Sequence, residues 1–185
     1  MDIILASASP RRRELLGYIY KDYQVRPANI NEEVPNGTAP QAAGEILAGK
    51  KTLHVQKSYP QDLIIGADTV VVLGDEVLGK PKDEADAVRM LEMLSGNVHK
   101  VYTGVSLRYN DREYSFTQCT DVWFYSLTKK EINDYINTGE PFDKAGGYGI
   151  QGKGCLLVEK IDGDYFNVMG LPVARLKREL EKFGV

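Results

Sequence analysis

Three consecutive arginines, Arg11, Arg12 and Arg13, stand where a helix should begin. Ser9 is a capping residue and Pro10 suits the first helical position, so the arginines fill the first turn. That end of a helix carries partial positive charge, and a cation there costs about 0.3–1 kcal/mol. Either the side chains turn into solvent, or they meet an anion. Guanidinium forks beside free backbone N–H groups bind phosphate well. A second signal is Asp68, in the stretch GADT from Gly66 to Thr69, inside an otherwise almost entirely apolar run. An unpaired carboxylate in a sheet is costly, so it must be paired, hydrogen-bonded, metal-bound or at a strand end near water. It is either a structural turn cap, or a metal ligand or base that activates water. Lys80 sits between glycine and proline in a stiffened loop, and Lys51 lies in a helix after an acidic loop; each alone could simply be solvated. Gln151 lies in EPFDKAGGYGIQGKG, which holds five glycines in fifteen residues. A glycine-rich loop of that length inside a compact domain is usually functional. Its amide offers a donor and an acceptor, which suits the edge of a nucleobase.

These residues need a frame. Asp2–Ser7 reads as a short buried strand ahead of the arginine helix, and Tyr23–Ala28 as a second strand. INEEVPNGT is a polar loop. Thr38 and Gln41 form a candidate capping box for a helix running to about Gln56. Leu63–Leu73 is apolar and β-branched on both faces, which predicts a central strand. A tight turn and a short return strand lead to a helix that starts at Asp83 and ends at Gly96. Ala87, Met90, Leu91 and Leu94 mark its apolar face. Two strands flank a hairpin turn at Asn110-Asp111. Thr128 and Glu131 form a second capping box, for a helix that ends near Gly139. CLLVEKI reads as a strand, DGD as a turn, and Leu171–Phe183 as a closing helix. Trp123 and Phe124 read as core. His54 and His99 look like surface or core filler.

At 185 residues the chain suits one packed domain, with or without two lobes. A net charge of −3 excludes a generally basic surface, so any polyanion site must be local. This weakens a nucleic-acid-binding reading. No apolar run approaches the ~20 residues of a membrane span. The start shows no secretory pattern, and the two cysteines, Cys119 and Cys155, lack metal-ligand spacing, so buried thiols and a cytoplasmic protein are expected. Neither a P-loop nor a dinucleotide-binding glycine fingerprint follows a strand.

In order along the chain, LASASPRR, GADT, GKP, EPFDKAGGYGIQG and GDYFNVMGLP resemble the Maf family of nucleoside triphosphate pyrophosphatases. The resemblance runs from Ile3 to about Leu180. It implies one Maf-like domain over residues 1–185. The implied fold is α/β: an elongated mixed sheet flanked by helices, with two lobes around a central cleft, related to the inosine triphosphate pyrophosphatases. It implies hydrolysis of a nucleoside triphosphate to the monophosphate and pyrophosphate with a divalent cation, Mg or Mn. The YGIQG version looks like the branch that prefers dTTP and UTP. By this resemblance Asp68 carries the catalytic role. Arg11, Thr69 and Gln151 match positions tied to substrate choice, Lys51 the helix lysine, and Lys80 the GKP lysine. Glu32, beside Glu33, best matches the acidic loop residue. Thr52 stands where an alanine is usual. The residues themselves fit this chemistry: Arg12, Arg13, Lys51 and Lys80 offer positive charge for a triphosphate, and Glu32 and Asp68 could hold magnesium. A homodimer is implied by resemblance alone. Two alternatives stay open: a non-enzymatic nucleotide sensor acting at cell division, and a pyrophosphatase selective for a modified purine nucleotide.

Overall fold

Apolar strands are interleaved with helices that bury one face, and this pattern gives a helix-flanked mixed sheet. The computed structural model describes residues 1–185. In chain order the elements are β1 (Ile3–Leu5), α1 (Pro10–Leu16), β2 (Gln24–Val25), α2 (Pro40–Gln56), β3 (Leu63–Leu73), β4 (Glu76–Leu78), α3 (Glu84–Leu94), β5 (Val98–Tyr109), β6 (Arg112–Phe124), α4 (Lys129–Ile136), β7 (Val158–Asp162), α5 (Tyr165–Met169) and α6 (Val173–Phe183). Three short 3₁₀ turns, Glu140–Asp143, Ala145–Gly147 and Gly152–Leu156, fill the glycine-rich stretch. The seven strands make one sheet in the order β2-β1-β3-β5-β6-β7, with β4 paired to β3.

The chain divides into two compact units. The first comprises Met1–Asp68, Thr103–Gln118 and Gly170–Val185. Here β1 runs parallel to both β2 and β3, with Ile3 opposite Leu63 and Leu5 opposite Ile65. Ile4, Ala6 and Ile64 are buried with Val55 of α2. The second unit comprises Thr69–Tyr102 and Cys119–Met169. In it β4 returns antiparallel to the end of β3, and β7 lies antiparallel to β6. Its core joins Leu91 and Leu94 of α3 and Ile132 and Tyr135 of α4 to Val71 and Phe124 of the strands.

Local signals hold where side chains can cap. The Ser9 hydroxyl accepts from Arg12 N (3.4 Å), Asp83 accepts from Asp86 N (2.8 Å), and Thr128 with Glu131 closes a complete capping box. Asn110 adopts a left-handed φ of 53°, as a two-residue hairpin turn requires.

Elsewhere the structure corrects the reading. Thr38 does not cap α2. Its hydroxyl donates to Pro35 O (2.6 Å) within a turn, and Ala39 takes the capping position without a side-chain bond. Cys155 and Leu156 lie in a 3₁₀ turn rather than a strand, because β7 first meets β6 where Val158 pairs with Phe124. Strand alternation sends Val122 and Phe124 into the core and leaves Trp123 half-buried, with Lys160 Nζ 4.2 Å from its ring centroid. The thiols are not buried: Cys119 is half-buried and Cys155 exposed. After the DGD turn the sequence reading misses α5, where Asp164 accepts from Phe166 N (2.8 Å).

Candidate active site

Asp68 ends a run of fully buried β3 residues and is itself half-buried. What stands over it is decided by how closely α2 lies on the strands. A Cβ on Gly104 of β5 would fall 2.0 Å from Glu45 N of α2, and one on Gly66 would meet Thr52 Cγ2 at 2.7 Å. Only glycine permits so close an approach of helix and strand backbone. The helix register is fixed beside the site as well. The buried Thr52 hydroxyl donates to Gly49 O (3.0 Å), receives Arg108 Nε (3.2 Å) and meets Ser106 Oγ (2.9 Å).

The neighbouring Lys51 is 8% exposed, and its ammonium donates to Asp68 Oδ1 while lying 2.8 Å from Glu32 Oε1. The two legs are not equal. The Glu32 side chain is 56% exposed, so water screens that contact to at most about 1 kcal/mol. The Asp68 side chain is 14% exposed and that of Lys51 10%, so removing either partner leaves a charge largely stripped of water. Glu33 plays no such part; its carbonyl accepts from Lys50 Nζ (2.6 Å), so Glu32 is the loop acid that reaches Lys51.

The three arginines are also unequal. Arg12 is half-buried; its Nε donates to Gly170 O (2.8 Å) and its Nη1 to Ser7 Oγ (3.4 Å). Burial pulls its pKa down, the charge of Asp68 opposes this, Arg11 adds to the lowering and Glu32 opposes it. The charges of Asp68, Arg11 and Glu32 therefore all act on the Arg12 guanidinium. Arg13 is exposed, and its backbone carbonyl accepts from the Tyr23 hydroxyl (2.7 Å). The first unit thus gathers Arg11, Arg12, Glu32, Lys51 and Asp68. Sequence reasoning missed Ser7 and Gly170 as the partners of Arg12, although both lie inside motifs it had marked.

Thr69, Lys80 and Gln151 belong to the second unit. Lys80 is exposed on a turn whose Gly79 carbonyl accepts from Gly146 N (2.9 Å), so the GKP turn is tied to the glycine-rich stretch. In that stretch Tyr148 is buried, and its hydroxyl meets His99 Nε2 at 2.7 Å. Gln151 is half-buried.

The donor set bears on a metal. Glu32 and Asp68 bring two hard oxygen ligands to one cation-sized point, now held by Lys51 Nζ. Magnesium is commonly held by one or two carboxylates plus substrate phosphates, so the pair fits such an ion. No cluster of three or more His, Cys, Asp or Glu side chains could hold a metal without outside ligands.

Comparison with known proteins gives the family of the chain. A dTTP/UTP pyrophosphatase of Carboxydothermus hydrogenoformans is 53% identical over 186 residues, covering 100% of both chains. One of Bacillus pumilus is 48% identical, covering 99% of this chain and 97% of its own. The fold matches a solved HAM1 protein from Coxiella burnetii with a TM-score of 0.54 at 13% identity, over 98% of this chain and 99% of the other. That likeness bears on the helix-flanked mixed sheet alone. No helix is long and apolar enough to cross a membrane. The profile described as Maf-like protein matches residues 2–183, and with relatives sharing about half of their residues over full length, this chain belongs to the Maf family.

Proposed function

We propose that this chain hydrolyses dTTP and UTP to the nucleoside monophosphate and pyrophosphate. One observation carries the reading: a buried lysine gathers Asp68 and Glu32 beside Arg12, in a chain about half identical to relatives named for that activity. A water oxygen attacks the α-phosphorus. The bond from that phosphorus to the oxygen bridging it to the β-phosphate breaks, pyrophosphate leaves with the electron pair, and Asp68 takes the proton of the water. Lys51, Arg11 and Arg12 stabilise the charge that gathers on the phosphates. Arg13 and Lys80 are exposed and add positive charge for the triphosphate, and Thr69 and Gln151 take the substrate-choosing contacts that the family resemblance gives them. Glu32 and Asp68 would hold Mg²⁺ or Mn²⁺, which neutralises triphosphate charge and acidifies a bound water. The same reading takes the protein to be cytoplasmic and homodimeric, the latter testable by light scattering.

The test is a substrate panel of UTP, dTTP, CTP, ITP and 7-methyl-GTP with magnesium, with pyrophosphate assayed. UTP and dTTP should turn over fastest. Release of orthophosphate instead of pyrophosphate would assign the wrong bond. A preference for either purine nucleotide, or binding without turnover, would overturn the reading.

A further inference from the structure

The segment that carries Gln151 is closed on itself and held at both ends by side chains from outside it. At its start, Gly149 N donates to the Tyr135 hydroxyl of α4 (3.1 Å). At its finish, the Glu140 carboxylate takes two successive backbone donors, Lys153 N on Oε1 (3.1 Å) and Gly154 N on Oε2 (3.4 Å). The ends meet: a Cβ on Gly154 would lie 2.0 Å from Gly149 O and 2.9 Å from Tyr135 Oη. Ile150, next to Gln151, is buried and acts as an apolar peg. On the other side Gly152 has a φ of +62°, and a Cβ there would fall 2.6 Å from Glu140 Oε1. The carboxylate therefore presses against the residue that follows Gln151. Glu140 is itself fixed, since its backbone carbonyl accepts from Lys144 Nζ (2.5 Å).

We infer that Glu140, with Tyr135 at the other end, is a positioning residue for base selection, acting through the backbone of the Gln151 loop. The inference rests on the proposed function, in which Gln151 reads the base. A glutamine amide is ambidextrous: turned one way it complements the carbonyl and N–H of uracil or thymine, turned the other way the amino group and bare nitrogen of cytosine. Preference therefore depends on where the loop holds the amide, and hydrogen bonds weaken steeply outside about 2.7–3.2 Å. A carboxylate suits this task because both its oxygens accept, whereas a neutral amide accepts on one side only. Misplacement of about 1 Å by a residue away from the chemistry can cost up to about 100-fold.

The experiment measures kcat and KM for UTP and CTP in the full chain and in Glu140→Gln, Tyr135→Phe, Gln151→Ala and the double variant Glu140→Gln/Gln151→Ala, each checked by thermal unfolding. In Glu140→Gln, KM for UTP should rise and the UTP-to-CTP ratio of kcat/KM should fall about tenfold, with kcat changing less than KM. Tyr135→Phe keeps the ring and should shift the ratio in the same direction by less, which keeps the test open if Glu140→Gln does not fold. The double variant should discriminate no worse than Gln151→Ala alone, as two residues acting through one contact require. If either folded loop variant keeps the full UTP preference, or the two losses simply add, the inference is overturned. If the unaltered chain shows no UTP preference, or Gln151→Ala leaves the preference intact, the base-reading role itself fails, and that outcome is distinct from failure of Glu140 alone.

Discussion

Around Lys51, side chains are placed by charge and by regular elements: Asp68 projects from a strand, Lys51 from a helix that lies on it, and an ammonium holds two carboxylates. Around Gln151, an irregular segment is placed by hydrogen bonds that its backbone N–H groups donate to the Tyr135 hydroxyl and the Glu140 carboxylate. The first arrangement suits chemistry on charged phosphates, because charges on rigid elements need no reorganisation when more charge develops. The second would suit discrimination between neutral bases, the role proposed for Gln151, because it fixes the position of one amide. An arrangement held by charge tolerates little change of charge, whereas a loop held by backbone hydrogen bonds tolerates little change of shape.

The comparison can be broken most sharply at Asp68. Asp68→Asn keeps the shape, removes the charge and with it the proton acceptor of the proposed mechanism, and should lower pyrophosphate release by about 10²–10⁴-fold. Near-normal turnover in a folded variant would move the chemistry elsewhere.

Next in size is an effect on stability that arises at His99 of the second unit. Burial lowers the pKa of His99 from 6.5 to about 4, with the charge of Asp121 opposing. As pH falls the unfolded chain takes the proton first. Stability should therefore be full above pH 6.5 and decline toward pH 4, by about 3 kcal/mol in all. Urea unfolding across that range should show this slope, and His99→Gln should flatten it.

Gly104→Ala tests whether close packing of α2 sets the cluster. Its Cβ would collide with backbone, so the variant should lose about 1–3 kcal/mol in chemical unfolding, and the residual enzyme should turn over more slowly. Unchanged activity would mean that the Lys51–Asp68 pair forms without that packing.

The smallest effect separates the arginines. Arg12→Lys keeps the charge but loses the Nε donor to Gly170 O, and should cost about tenfold in kcat/KM. Arg13→Lys, at an exposed position, should cost less. Equal losses would show that charge alone matters there.

Much of this was legible before any coordinates. The run Leu63–Leu73 is continuous, apolar and β-branched, and β3 has those bounds. Asp83 and Thr128 announce their helices because a cap is a contact between residues three apart. Asp68 stood out because a carboxylate in an apolar strand needs a reason. Thr38 misled because its hydroxyl had a nearer turn to serve, and α5 went unseen because five residues are too few to show a period.

The sequence by itself determined the central strand, most helices, the motifs and the residue types available for phosphate chemistry, since these depend on local composition and spacing. Tertiary structure alone decided which of two adjacent glutamates meets Lys51, which of three arginines is held by Gly170, and that Glu140 braces the loop of Gln151. The physical reason is distance along the chain. Glu32 and Lys51, or Arg12 and Gly170, become neighbours only when α2 and the closing segment pack onto the sheet, and no local spacing encodes that approach.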